Sequence, residues 1–115
     1  MVGRPSIRDW IMEKLRERRP SCEIKNARDG FEAGQIVGSW RPDVVLLDLS
    51  MDGAGGLAIC RRIKAKVETS DIEVIALSPD ISPQVRRRAL QCGARACLRS
   101  PPDRESLLRE LDAAL

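Results

Sequence analysis

Apolar residues along the chain follow two rhythms. Ile7, Trp10, Ile11 and Leu15 recur at three- and four-residue intervals, with Pro5-Ser6 before them and Arg19-Pro20 after. This spacing predicts a first helix, with Ser6 as its N-cap and Pro20 as its stop. Cys22 to Ala27 alternates and predicts a strand with one wetter face, at a sheet edge. A second helix is expected over Phe31 to Trp40, weakened by Gly34 and Gly38. Leu57, Cys60, Ile63 and Val67 mark a third helix. Asp71 to Ser78 is an apolar strand with a hydroxyl at its carboxyl end. Ser82-Pro83 opens a fourth helix, which Gly93 stops. Ala96 to Arg99 is a short strand leading into Ser100-Pro101-Pro102. Asp103 caps a last helix, with Leu107, Leu108, Leu111 and Leu115 facing inward.

One strand stands out. Val44-Val45-Leu46-Leu47 is apolar throughout, so both of its faces must be covered, as in a parallel sheet between helical layers. Pro42 precludes a helix through it, and the glycine-rich stretch Gly53 to Gly56 breaks the chain beyond. The strand therefore delivers Asp48 to the carboxyl edge of the sheet, where open α/β sheets bind their ligands. Such an Asp is more often only a turn cap, so its neighbours decide. Helices and strands alternate with short connections and no repeat, which specifies one α/β domain over residues 1–115. The count is uneven, five helices to four strands, and the chain opens on a helix.

Composition narrows the chemistry. The sequence has no histidine, which removes His-based acid–base catalysis and His metal sites. Aromatics are confined to Trp10, Phe31 and Trp40, too few to stack bases. The net charge is only +3, and the basic runs Arg16 to Arg19 and Arg86 to Arg88 are expected to be solvated helix faces. Nucleic acid is not expected as a partner of this domain. No apolar run approaches the ~20 residues of a membrane span, so a cytoplasmic location is expected. Cys22, Cys60, Cys92 and Cys97 lack Cys-x-x-Cys spacing and are expected as free thiols, mostly buried.

Parallel topology brings Asp48, Ser78 and Ser100 to one edge. One carboxylate and two hydroxyls form neither a catalytic triad nor an acid–base pair, so an enzyme is not expected. A lone carboxylate can still act as a nucleophile toward a phosphoryl donor. Ser78 would then donate a hydrogen bond to the transferred group, and nearby cationic charge would be needed to neutralise its oxygens.

The chain resembles the receiver domain of bacterial two-component response regulators, from about Pro5 to its end. The similarity rests on Arg41-Pro42-Asp43-Val44-Val45-Leu46-Leu47-Asp48, on Asp29-Gly30 with Glu32-Ala33, on Gly53 and Gly56-Leu57, on Ile75-Ala76-Leu77-Ser78, and on Gly93-Ala94. It implies a flavodoxin-like (CheY-like) fold with Asp48 as phospho-acceptor and Ser78 as hydrogen-bond donor to the phosphoryl group. It also implies a histidine kinase or phosphotransfer protein as partner, and an effector or output domain to receive the signal.

The departures matter as much. The family begins with a strand ending in two acidic residues, which with the acceptor hold Mg²⁺. Here those positions fall near Val2-Gly3. The resemblance thus leaves Asp48, the Ser50 carbonyl and water to hold Mg²⁺, weakly. The family's lysine falls on Ser100, with Arg99 beside it, and its switch aromatic falls on Cys97. These losses raise the alternative of a pseudo-receiver, an interaction or dimerisation module that works without phosphorylation. The family's first strand also lies centrally, between its second and third, so its absence leaves an edge open. Residues upstream of Met1, a homodimer partner, or direct pairing of Cys22 to Ala27 with Val44 to Leu47 could restore the sheet. Truncation combined with self-association is the expectation.

Overall fold

The computed structural model describes residues 5–21, 23, 25, 27, 30–49 and 55–115, of which 5–8, 30 and 55 by backbone alone. The elements run α1 (Pro5–Arg18), α2 (Gly30–Trp40), β1 (Val44–Asp48), α3 (Gly55–Ala65), β2 (Glu73–Ser78), α4 (Pro83–Gln91), β3 (Ala96–Arg99) and α5 (Arg104–Ala114). Among the described residues the sheet has three parallel strands in the order β1-β2-β3. Of the expected strand Cys22 to Ala27, residues 22, 24 and 26 lie outside the described residues; Ala27 makes a single bridge and is buried.

Side-chain alternation on the strands sorts the interior into two layers. Val45, Leu47, Val74, Ala76 and Cys97 pack on one face with Ala33 and Val37 of α2, Cys60 and Ile63 of α3, and Ala89 of α4. Leu46, Ile75 and Leu77 pack on the other face with Ile11 and Leu15 of α1 and Leu107 and Leu111 of α5. This is the α/β sandwich expected of strands that are apolar on both faces. Arg18 Nη2 and Arg19 Nη2 donate to the two carboxylate oxygens of Asp112 at 3.0 and 2.9 Å, tying α1 to α5. The first basic run is therefore partly paired and not simply solvated, whereas Arg86, Arg87 and Arg88 are exposed as expected.

Several boundaries follow the local chemistry. Ser82 and Asp103 cap α4 and α5 by accepting from the Val85 and Ser106 amides. Gly93 follows α4 with φ of +100°, a conformation that strains any residue with a Cβ. Arg41 closes α2 with φ of 54°. Two predicted core positions are corrected. Val67 is 87% exposed, because α3 stops at Ala65. There Thr69 Oγ1 donates to the Ile63 carbonyl at 2.7 Å, and Lys64 Nζ donates to the Ser70 and Ile72 carbonyls, which winds the chain into a turn. Leu115 lies beyond the last turn of α5 and is exposed. Strand β2 starts at Glu73, two residues later than expected. Ser6 as an N-cap falls outside the described side chains, and α1 already includes Pro5.

Candidate functional site

Each parallel strand ends at the same rim, and two backbone bonds lock the rim together. Leu49 N donates to Leu77 O at 2.8 Å, and Ser100 N donates to Ser78 O at 2.9 Å. Cα register pairs Asp48 with Leu77 and Ser78 with Arg99. Asp48, Ser78 and Ser100 thus stand at the carboxyl ends of three adjacent strands, as the sequence predicts. All three are buried, Asp48 to 1% exposure.

Ser78 is wired to the next helix. Its Oγ accepts from the Asp80 amide at 3.2 Å, and Asp80 Oδ1 accepts from the Ser82 amide at 2.9 Å. Ser82 Oγ in turn accepts from the Val85 amide in the first turn of α4. Because Ser78 Oγ serves as an acceptor here, its own proton is left to donate. Sequence reasoning places Ser82 as a cap but misses this chain. The spacing Ser78-x-Asp80-x-Ser82 is a legible signal for it, since Asp and Ser side chains bond amides two residues on.

The Ser100–Pro101 peptide is cis. Ser100 Oγ is buried with no hydrogen-bond partner among the described residues, whereas neighbouring Arg99 is exposed. The strand thus buries the Ser100 hydroxyl and leaves the Arg99 side chain exposed. Cys97, buried on the α4 side of the sheet, has its thiol pKa pushed up by burial; Arg86 nearby opposes the shift and Asp80 adds to it. Ser50, Asp52 and Gly53 lie outside the described residues, as do Val2 and Gly3. Among the described residues no group of three or more His, Cys, Asp or Glu side chains could hold a metal ion.

The sequence profile of the response regulator receiver domain matches residues 4–112. The chain belongs to this family. It is 32% identical over 110 residues to the response regulator MprA of Mycolicibacterium vanbaalenii, covering 96% of this chain and 46% of that protein. It is 31% identical over 93 residues to the protein PilH of Pseudomonas aeruginosa, covering 81% of this chain and 77% of that one. A crystal structure of the signal receiver domain of a DNA binding response regulator from Colwellia psychrerythraea 34H superposes with a TM-score of 0.86 at 29% identity, covering 96% and 94% of the two chains. This receiver domain spans about half the length of the MprA relatives it matches. Its fold is flavodoxin-like, as the resemblance implies. No helix among the described residues is long and apolar enough to cross a membrane.

Proposed function

We propose that this receiver takes a phosphoryl group on Asp48 and passes the change to α4 through Ser78, Asp80 and Ser82. A carboxylate oxygen of Asp48 attacks the phosphorus of a phosphohistidine on a kinase or phosphotransfer partner. The new P–O bond forms as the P–N bond breaks, and the imidazole leaves with the electron pair. Ser78 turns its hydroxyl proton to a phosphoryl oxygen. Reorienting the hydroxyl shifts Oγ against the Asp80 amide that donates to it, and the loop leading to α4 moves with it. The observation that carries this reading is the Asp80 N to Ser78 Oγ bond, which couples the rim to the first turn of α4. The reading places the domain in the cytoplasm, with an effector protein or output domain receiving the signal.

A second reading, that of a phosphorylation-independent interaction module, is favoured by Ser100 standing where cationic charge is needed. Intact-mass measurement after incubation with acetyl phosphate and Mg²⁺, with and without chelator, separates the two. The first reading predicts a gain of one phosphoryl group by the native chain and none by Asp48→Asn. Equal masses for the two proteins would leave the second.

A further inference from the structure

Charge is divided unevenly between the two helical layers. On α1 and α5 cations and carboxylates are mixed and pair with one another: Arg18 and Arg19 with Asp112, and Lys14 and Arg104 with Glu17. Helices α3 and α4 carry Arg61, Arg62, Lys64, Arg86, Arg87 and Arg88 and no acidic residue. Lys64 donates to the Ser70 and Ile72 carbonyls. Arg61 Nη2 meets a thiol, Cys92 Sγ at 3.4 Å, which is a weak acceptor for a guanidinium. Arg62, Arg86, Arg87 and Arg88 are exposed and form no ion pair among the described residues.

Helical geometry places these cations. Each residue of α4 is turned about 100° from the one before. With Val85, Ala89 and Cys92 toward the core, Arg86 and Leu90 fall on one flank, Arg88 and Gln91 on the other, and Arg87 on the crest. Arg86 lies beside Cys97 of β3, the strand on which α4 packs, so the Arg88 flank is the one turned to α3. From α3, Arg61 reaches Cys92 and Lys64 lies against Gly93. Arg61 and Arg88 thus bank the seam between the two helices, and Arg87 overlooks it.

Helix dipoles account for cations in the last turns, Arg62 and Lys64 of α3 and Arg88 of α4. They do not account for Arg86, which follows a first turn without any carboxylate. Repulsion across the seam is left uncompensated in the free chain. Guanidinium forks take carboxylate or phosphate. The apolar surroundings decide between them. Leu90, a turn on from Arg87, is 54% exposed, and Val67, just past the end of α3, is 87% exposed. A phosphate backbone offers such residues no partner, and neither helix has an aromatic ring for a base to stack on.

We infer that the α3–α4 face docks an acidic amphipathic segment of another protein, its carboxylates on Arg61, Arg87 and Arg88 and its apolar side chains toward Leu90. The docking needs no phosphoryl group on Asp48, so it stands or falls apart from the reading above.

A labelled helical peptide of glutamate, leucine and alanine is the probe, with its glutamine counterpart beside it. Fluorescence anisotropy with the full, unphosphorylated chain should show saturable binding that weakens as salt rises. The glutamine peptide should bind about tenfold more weakly, and so should the glutamate peptide to Arg61→Gln with Arg88→Gln, whose circular dichroism should stay native. Arg88→Gln alone leaves the Arg61–Cys92 contact in place and should weaken binding about threefold, even if the double variant unfolds. Arg16→Gln with Arg109→Gln removes the same charge from α1 and α5 and should leave binding within about twofold. Amide resonances of Arg61, Arg62 and Arg88 should shift on titration. Equal affinity for the two peptides would overturn the proposal, as would an equal loss in the α1–α5 variant, which would leave net charge as the explanation. A DNA duplex of matched charge that competes as well as the peptide would assign the face to nucleic acid and overturn it. A free chain that self-associates at low salt, and ceases to with Arg88→Gln, would assign the face to a second copy and overturn it too.

Discussion

Ser78 Oγ lies 3.2 Å from the amide nitrogen of Asp80 and accepts its hydrogen bond. One hydroxyl thus serves the loop to α4 while keeping a proton for the rim. Ser78→Ala removes the acceptor and leaves a partly buried N–H unsatisfied, costing about 1 kcal/mol in urea unfolding. Ser78→Thr keeps the hydroxyl and should restore most of that loss. An alanine variant as stable as the native protein would mean the bond contributes nothing to the loop.

The glycines divide by surroundings. A Cβ on Gly34 or Gly38 of α2 meets no atom within 4 Å, so Gly34→Ala and Gly38→Ala should each stabilise by up to about 1 kcal/mol. A Cβ on Gly93 would lie 2.5 Å from Lys64 Cγ, and its φ of +100° strains any L-residue. Gly93→Ala should cost more than about 1 kcal/mol. Thermal midpoints of the three variants check the opposite signs.

Cys60 is buried and its Sγ donates to the Cys92 carbonyl at 3.2 Å. Burial, with Cys92 nearby, pushes its pKa from 9.0 to about 11. The unfolded chain releases this proton first as pH rises, so stability should fall between about 9 and 11. Cys60→Ala should remove that part of the fall, at a cost of about 1–2 kcal/mol at neutral pH. In the native state, alkylation by iodoacetamide should spare Cys60 until the protein unfolds. Rapid labelling of the folded protein at Cys60 would contradict the burial.

Asp112 accepts from Arg19 and Arg18, and those hydrogen bonds hold its carboxyl below the usual value of 3.8. A depressed carboxylate pKa contributes stability above the unfolded value and loses it as pH falls through the folded one. Asp112→Asn should therefore lower the urea midpoint slightly near neutrality, less at high salt, and leave no difference in strong acid. A gap that persists in acid would mean that packing, and not charge, joins α1 to α5.

Much of this architecture is legible in residue order because its strands are apolar on both faces and its helices carry explicit caps. Val44 to Leu47 could only be a covered strand, and Ser82-Pro83 and Asp103 could only start helices. The pattern misplaced Val67 because periodicity does not register Thr69 and Lys64 capturing the carbonyls that follow α3. Leu115 was misplaced because its spacing fits the inner face of α5, but the helix ends one residue earlier. At the rim, Asp48, Ser78 and Ser100 were readable from strand ends, whereas the Ser78–Asp80–Ser82 chain depends on loop geometry.

Coupling between the rim and α4 is tested most directly by amide chemical shifts. On addition of acetyl phosphate and Mg²⁺, the Asp80, Ser82 and Val85 resonances of the native protein should move together. They should stay in place in Asp48→Asn, and Ser78→Ala should still gain mass without moving them. A phosphorylated native chain whose Asp80 and Val85 amides do not move, or a Ser78→Ala chain in which they move fully, would contradict the account.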